Sequence, residues 1–584
     1  MQLSRLWCVV CGVFVWSVAW NAQPVAAVEA DSRPFKIKMA DGRKTTVRLR
    51  GNEHFRWLED EHHYPVVHTA TGYEYAIHDP KSAKLVASGH KLGIADPLAL
   101  ALEPRLPIGI TEVRRQSPAQ PAFAVRADEN HELRGVVNVL VVLMRFKEHQ
   151  NRKLPTAAQI EIIMNRLGGD PILAPSGSYR DFVHAASYRQ FDIMSHIVGW
   201  VDFPETEAYY ANNDSGLSGG RLDEAQNAAL NLVEADSNLG LNISEFDRNK
   251  DRNIDAVIFL HSGYSAEDTI GENADVLREQ RIWSHKNSTP IWTSKEGLST
   301  NNYFTASALY GPDGDRPCRI GVLLHESAHL GALDDHYNRR DSAGVGAWCL
   351  TGEHRGFDGT QYYPPPLSAW CKAQLGWVKP TEITESGTIR IRAIEKSPDV
   401  FKITRGFPPG EYLLIENRQP IGFQQKLPAG TGGRGGLAIW HVDETKEDNR
   451  EPGHPGLPNW PENGRHYKLA LLQADGEYEL ELPLNHDGNY GDGDDLFRKG
   501  FVDQLGPGGI GHFPNTDAYQ DGIILHTGVV ISDISESGEE MTFNVTLPAS
   551  SGSDSVKSSI RSRAVHRATV TPTPAKQSPK SAKP

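Results

Sequence analysis

Residues 325–329 read His-Glu-Ser-Ala-His, a spacing that suits a metal ion. The apolar residues within 320–324 predict a buried helix through this segment. Because positions four apart share one face of a helix, His325 and His329 would present two imidazole nitrogens to one ion. Glu326 would be rotated by about 100° from His325 and could reach a water on that ion. The motif predicts hydrolysis by metal-activated water, with Glu326 as the general base.

A catalytic zinc needs a third protein ligand and one open position. Gly331 could let the chain leave the helix and turn back, which brings the following residues within reach. Asp335 lies six residues past His329, the spacing of short-linker HExxHxxGxxH/D zinc proteases. Asp334 or His336 is the alternative ligand. A glutamate from a later helix is disfavoured, because glycines 352 and 356 flank the nearest candidate at 353.

Tyr337 lies two residues beyond Asp335, where a phenol could donate a hydrogen bond to an oxyanion. A packed aromatic side chain is the equally simple interpretation. Tyr337 is therefore a second catalytic candidate beside Glu326.

The N-terminal residues predict export. Arg5 precedes an almost wholly apolar run over residues 6–20, and small residues follow at 25–27. Because this run is shorter than the ~20 residues of a spanning helix, it predicts a signal peptide over residues 1–28 rather than an anchor. We expect a secreted, extracellular protein without an integral membrane span.

Residues 29–132 predict a β-rich unit followed by a linker. Apolar and basic residues alternate over 35–39 and 47–50, and Asp-Gly at 41–42 predicts the turn of a hairpin. Residues 107–132 are rich in Pro, Ala and charge, which is typical of an exposed linker. In an exported hydrolase this organisation predicts a propeptide, and so a zymogen; a permanent accessory domain is the alternative.

The rest of the chain divides into three parts. Residues 133–380 mix helical and strand patterns, with a buried strand predicted at 136–144. Residues 381–548 predict a β-rich, sandwich-like domain. Residues 549–584 lack large apolar side chains and predict a disordered basic tail. The alternating segments of the β-rich domain lie at 389–392, 412–416, 437–442 and 543–545.

The net charge and the cysteine content argue against nucleic-acid binding and against a thiolate metal site. The 584 residues carry 60 basic and 74 acidic side chains, a net charge of -14, which disfavours nucleic-acid binding. Two of the five cysteines lie in the predicted signal peptide. Cys318, Cys349 and Cys371 allow one disulfide at most, and the sequence does not choose the pair. No CxxC pair remains after cleavage, which argues against a thiolate zinc site.

Seven short segments carry a family resemblance. They are SYRDF at 178–182, SYRQFD at 187–192, VGW at 198–200, IWSH at 282–285, SAWCKAQLGW at 368–377, GLAIWHVD at 436–443 and QADG at 473–476. Together they resemble the immune inhibitor A family of secreted bacterial metalloproteases, over about residues 34–545. The resemblance implies an endopeptidase with a propeptide, bound calcium, and zinc held by His325, His329 and Asp335, with Glu326 catalytic.

The chain departs from this family at two positions. Glycine is usual where Ala332 stands, and here the glycine is residue 331. Methionine is usual near Thr351, and losing a soft packing residue there would alter rate or stability without removing a ligand.

A calcium site is predicted at residues 247–255, where oxygen-bearing side chains stand at every second residue. They are Asp247, Asn249, Asp251, Asn253 and Asp255. The usual glycine is replaced by Arg252 and the closing glutamate is absent, so a polar turn of Asx hydrogen bonds is the alternative. A second acidic run at 487–495 is more typical of a solvated loop.

We therefore predict an α+β protein with a zincin-type catalytic domain, a β-rich sandwich-like domain and a β-rich N-terminal propeptide. The predicted function is a monomeric, secreted zinc endopeptidase acting on extracellular proteins or peptides, with calcium as a second ion. The alternative is a secreted binding protein with a structural or vestigial metal site.

Overall fold

The computed structural model describes residues 26–39, 41–52, 56–79, 84–104, 133–338, 342–484, 486–508 and 514–549. The linker predicted at 107–132 lies outside these residues. So do residues 1–25 of the predicted signal peptide and residues 550–584 of the predicted tail.

The N-terminal unit is an antiparallel sheet in which each strand pairs with the next along the chain. After a short strand β1 (Ala26–Ala27), its strands are β2 (Phe35–Lys38), β3 (Lys44–Gly51), β4 (Arg56–Asp60), β5 (Pro65–Thr69), β6 (Gly72–Asp79) and β7 (Lys84–Lys91). Phe35 pairs with Val47, and both side chains are buried. Gly42 forms the intervening turn with a φ of 85°. The predicted hairpin is confirmed.

The central unit surrounds a second six-stranded sheet. Its elements are β8 (Gly135–Arg145), α1 (Ala157–Asn165), α2 (Tyr179–Ala186), β9 (Phe191–Asp202), α3 (Glu207–Ala211), α4 (Arg221–Ala235), β10 (Val257–His261), α5 (Ala274–Glu279), β11 (His285–Asn287), β12 (Trp292–Thr293), β13 (Ser299–Thr300), β14 (Tyr303–Ser307), α6 (Ile320–Leu330) and α7 (Ala369–Gln374). Strands β9, β8, β10 and β14 are parallel neighbours, and β11 runs antiparallel beside β14.

Strand β8 is buried on both faces, as its apolar sequence predicts. Because successive side chains point to opposite faces of a strand, Val139 and Val141 join one hydrophobic core while Leu140 and Val142 join another. The first core also contains Leu323 and other apolar residues of α6. The sheet therefore provides the surface on which α6 rests.

The C-terminal unit contains two packed sheets. Its strands are β15 (Thr381–Glu382), β16 (Gly387–Arg392), β17 (Phe401–Ile403), β18 (Glu411–Arg418), β19 (Ala429–Gly430), β20 (Gly433–Arg434), β21 (Gly436–Asp443), β22 (Leu469–Leu471), β23 (Val530–Ser532) and β24 (Glu540–Thr546). The five-stranded sheet has the order β15-β17-β18-β21-β22, and the three-stranded sheet has the order β16-β24-β23. Ile415 of one sheet and Phe543 of the other share a core. All four predicted alternating segments lie in strands, and the chain as described mixes helices and strands in an α+β arrangement.

Across the described residues, we find no helix with both the length and the apolar character needed to cross a bilayer.

The three described cysteines are free and buried. The sulfurs of Cys349 and Cys371 lie 3.8 Å apart, close enough for small side-chain rotations to join them.

We therefore expect mild oxidation of the full chain to link Cys349 to Cys371 and to leave Cys318 reduced. Peptide mapping under non-reducing conditions, with alkylation of the unfolded protein, checks this pairing. A bridge that includes Cys318 would contradict it.

Candidate metal centre

Three donor atoms from α6 and the loop after it converge on one point. The Nε2 atoms of His325 and His329 are 3.2 Å apart, and they lie 3.2 Å and 3.3 Å from Oδ1 of Asp335. The centre of such a triangle is about 1.9 Å from each corner, close to the ~2.0–2.1 Å of zinc–nitrogen bonds. All three side chains are buried. The donor set therefore fits a metal ion.

Two backbone carbonyls fix the orientation of the imidazoles. The Nδ1 atom of His325 lies 2.8 Å from the carbonyl oxygen of Leu350, and Nδ1 of His329 lies 2.8 Å from that of Leu333. Because a carbonyl only accepts, each Nδ1 must carry the proton and donate it. Both Nε2 lone pairs then point to the centre of the triangle, as metal ligation requires.

Asp335 and the imidazoles of His325 and His329 shift each other's pKa. Burial would raise the pKa of Asp335, but His329 and His325 hold it well below its usual range. Burial would likewise lower the pKa of His329, but Asp335 raises it. Asp335 is therefore ionised, and the negative charge beside the imidazoles favours a cation.

The other candidate ligands lie elsewhere. Asp334 is exposed. His336 is buried, but its Nδ1 lies 2.9 Å from the hydroxyl of Thr351. Glu353 forms an ion pair of 3.1 Å with Arg355. Asp335 is the predicted candidate that the structure brings to the two histidines.

The turn after α6 differs from the prediction in one respect. Gly331 caps α6, so the chain leaves the helix there as predicted, but its φ of -83° shows that this glycine does not make the left-handed turn back. Ala332 makes that turn, with a φ of 59°. Gly331 is small for another reason: a Cβ atom there would lie 2.9 Å from Cδ2 of Leu375.

We expect Ala332→Gly to stabilise the protein by about 1 kcal/mol, because a residue with a Cβ atom is strained at this φ. The matched change Gly331→Ala should destabilise it by about 1–3 kcal/mol, because its Cβ would press on Leu375. Calorimetric melting of both variants checks the pair. A lower melting temperature for Ala332→Gly would contradict the assigned turn.

Thr351 stands near the position where the family resemblance implies methionine. It is fully buried, and its hydroxyl lies 2.9 Å from Nδ1 of His336 and 3.1 Å from Sγ of Cys349. Its carbonyl also accepts the amide of His336 at 2.9 Å. The polar residue is therefore satisfied by polar neighbours, and it holds the segment next to Asp335.

The two catalytic candidates lie near the donor triangle, which consists of the three donor atoms of His325, His329 and Asp335. Glu326 is fully buried on α6. Burial lowers the pKa of Lys286 on β11 to about 7, while Glu326 and Asp334 act in the opposite direction, so this lysine and Glu326 interact. The ring of Tyr337 is stacked on that of His325, with centroids 6.4 Å apart and an interplanar angle of 18°. The position of Tyr337 is compatible with either interpretation made from the sequence.

An N-terminal segment lies against β11 and α6, and this contact was not predicted from the sequence. Strand β1 pairs antiparallel with β11 and lies against α6. The indole nitrogen of Trp283 donates to the carbonyl of Val28 at 3.0 Å, and Arg355 donates to that of Glu29 at 3.0 Å. Strand pairing between residues more than 250 positions apart leaves no local sequence signal.

The calcium loop predicted at 247–255 has the geometry of a hydrogen-bonded turn. Asp247 accepts from the backbone amides of residues 251 and 252, both at 3.1 Å. Asp251 and Asp255 accept further backbone amides at 2.7 Å and 2.9 Å. Among the described residues, the clusters of three or more His, Cys, Asp or Glu side chains that could hold a metal ion include no residue of this loop. Calcium binding here stays a prediction without geometric support.

An α+β domain with a two-histidine, one-carboxylate centre beside a buried glutamate has the features of a metal-dependent hydrolase. Residues 175–378, which include α6 and the whole donor triangle, match the family described as immune inhibitor A peptidase M6, catalytic domain. The match confirms the resemblance inferred from the short motifs and supports a metallopeptidase domain over these residues. No curated protein matches the chain well enough to count as a relative.

Proposed function

We propose that this chain is a secreted, zinc-dependent endopeptidase that hydrolyses extracellular proteins or peptides. The observation that carries the proposal is the donor triangle: two imidazoles with fixed tautomers and one ionised carboxylate, with 3.2–3.3 Å between donor atoms. It lies inside the segment that matches the peptidase family. Export is supported by the apolar leader at residues 6–20.

The donor set favours zinc among the common ions. Two imidazoles and one carboxylate are typical ligands of a catalytic zinc, which keeps a fourth position for solvent or substrate. When bound, zinc polarises the scissile carbonyl and lowers the pKa of a water molecule to about 7. We propose His325, His329 and Asp335 as its ligands.

Glu326 provides the proton transfers in this proposal. It follows His325 on α6, and its carboxylate is shielded from bulk water. It accepts a proton from the attacking water at a carboxylate oxygen and delivers that proton to the nitrogen of the leaving amine. Tyr337 is proposed to donate a hydrogen bond to the carbonyl oxygen as negative charge develops there. Its ring beside His325 supports that position.

The edge of β11 that pairs with β1 is the proposed track for the substrate backbone. Strand β1 already pairs with this edge in an antiparallel register, with Ala26 opposite Lys286 and Ala27 opposite His285. An extended peptide on the same edge would form the same backbone hydrogen bonds. The scissile bond would then pass close to α6, since β1 itself lies against that helix.

We further propose that residues 29–132 are a propeptide that keeps the enzyme latent. Strand β1 and Val28 belong to the predicted signal peptide, so the contacts that the propeptide itself makes here begin at Glu29, whose carbonyl accepts from Arg355 at 3.0 Å, and Asp31, whose amide donates to the carbonyl of Glu267 at 2.9 Å. This segment follows directly on the residues that pair with β11, so it would obstruct a substrate bound along that edge. The antiparallel sheet of β2–β7 would anchor this segment until the chain is cut.

Replacing the base tests the mechanism. We expect Glu326→Gln to lower kcat on an unfolded protein substrate by about 10²–10⁴-fold, with the zinc content unchanged because no ligand is lost. Glu296→Gln, at an exposed glutamate of the same domain, is the control and should keep full activity. The measurement is steady-state hydrolysis together with metal content. Equal rates for Glu326→Gln and wild type would rule out Glu326 as the base. A processed wild type that holds zinc but cleaves nothing would favour the binding-protein alternative.

Cleavage within the predicted linker tests latency. Trypsin can cut after Arg114, Arg115 and Arg126. We expect activity to rise when the N-terminal fragment departs, because the segment that obstructs the edge of β11 then leaves. A chain with all three arginines changed to glutamine should stay uncut there and weakly active. Activity that is unchanged or lost after release of the fragment would favour a permanent accessory domain instead.

A further inference from the structure

A buried lysine lies on the strand that is the proposed track for the substrate. Lys286 is the middle residue of β11, and it is 0 % exposed although its side chain ends in an amine. Its Nζ atom donates to the hydroxyl of Ser288, just beyond the end of the strand. Lysine side chains are almost never buried completely unless they are paired, so the surroundings of Lys286 decide what its charge does.

The pairing of β11 fixes the direction of this side chain. Lys286 stands opposite Phe304 of β14, and side chains directly opposite each other in an antiparallel pair share one face of the sheet. Phe304 belongs to the hydrophobic core that also contains Leu323 and Leu324 of α6. The side chain of Lys286 therefore lies on the face of the sheet that α6 covers.

The acidic groups around Lys286 do not fully compensate its charge. Burial lowers the pKa of Lys286 to about 7, although the carboxylates of Glu326 and Asp334 act in the opposite direction. Asp334 is exposed, which weakens its effect through solvent screening. Glu326 is the proposed base, so its carboxylate also serves the attacking water. A further carboxylate next to Lys286 would favour the charged form of the amine.

A substrate on this track would bring one of its side chains next to Lys286. Strand β1 shows the register, because Ala26 stands opposite Lys286 while β1 lies against α6. The methyl group of Ala26 offers nothing for an ammonium group to bind. Ala26 belongs to the predicted signal peptide, so its removal would uncover this position. A substrate residue in the place of Ala26 would have its Cβ atom about 4.5–5.5 Å from that of Lys286, on the same face.

We propose that Lys286 selects an acidic residue, aspartate or glutamate, at the substrate position opposite it. The inference rests on the proposed peptidase function and adds the class of side chain that the site prefers. The ammonium group would form a charge-assisted hydrogen bond with the substrate carboxylate. Because β1 lies against α6 in this register, the selected residue is expected close to the scissile bond. A basic residue in the same place would meet Lys286 as a like charge and would be rejected.

Paired peptide substrates test this preference on the zinc-loaded chain after linker cleavage and removal of the N-terminal fragment. The peptides carry glutamate, glutamine or lysine at one position within about three residues of the scissile bond, and mass spectrometry of the products identifies that bond. At one such position we expect the wild type to show a kcat/KM about tenfold or more higher for glutamate than for glutamine.

Variants of Lys286 separate its charge from its bulk. Lys286→Gln should abolish the glutamate preference, Lys286→Glu should reverse it in favour of lysine, and Lys286→Arg should keep it, because only the last change retains the positive charge. The control is Lys295→Gln, at an exposed lysine of the same domain, which should keep the wild-type ratio.

The wild-type comparison decides the proposal even if a variant of this buried lysine does not fold. Equal kcat/KM values for the glutamate and glutamine peptides at every position would overturn it. A glutamate preference that persists in Lys286→Gln would also overturn it, because another residue would then select the acid. A processed chain that holds zinc but cleaves none of the peptides would contradict the proposed function itself, and the preference with it.

Discussion

The hydrogen bonds from the two histidine Nδ1 atoms to backbone carbonyls are the interaction on which the site depends. They decide which nitrogen of each ring faces the centre of the donor triangle, and a helix alone cannot provide them. Both carbonyls come from chain beyond α6: Leu333 from the turn at Ala332, and Leu350 from a segment 25 residues past His325. The first is a local consequence of a left-handed turn. The second requires the tertiary fold.

The distant carbonyl connects the centre to the C-terminal half of the chain. Trp348, two residues before Leu350, is fully buried and donates to Asp495. Glycine is required opposite it, because a Cβ atom at Gly491 would lie 2.4 Å from the indole nitrogen. The sandwich-like unit therefore contributes directly to the structure around the donor triangle. Its loop at 489–495 forms part of the support that keeps His325 in place.

Local features of the site could be predicted from the sequence, and non-local ones could not. The spacing of His325 and His329 fixes their shared face, and the short loop to Asp335 restricts the third ligand to a few residues. The turn residue was misplaced, because Ala332 adopts a φ that glycine usually provides. The pairing of β1 with β11 and the hydrogen bond from Trp348 to Asp495 join distant segments. Neither has a periodic pattern that a sequence could show.

The contact between the N-terminal segment and the central unit combines polar groups with buried apolar side chains, since Val28 and Ala30 share a hydrophobic core with α6. Arg355 donates to the carbonyl of Glu29 and pairs with Glu353, and it lies 3.9 Å from Asp268. Burial and Glu353 raise the pKa of the Glu29 carboxyl well above its usual range, while Arg355 opposes them. A contact held by charged groups and backbone hydrogen bonds leaves a surface that water can solvate once the segment departs. The apolar part of the contact, at Val28 and Ala30, opposes departure of the segment, so the balance of these two kinds of contact decides how easily the segment is released.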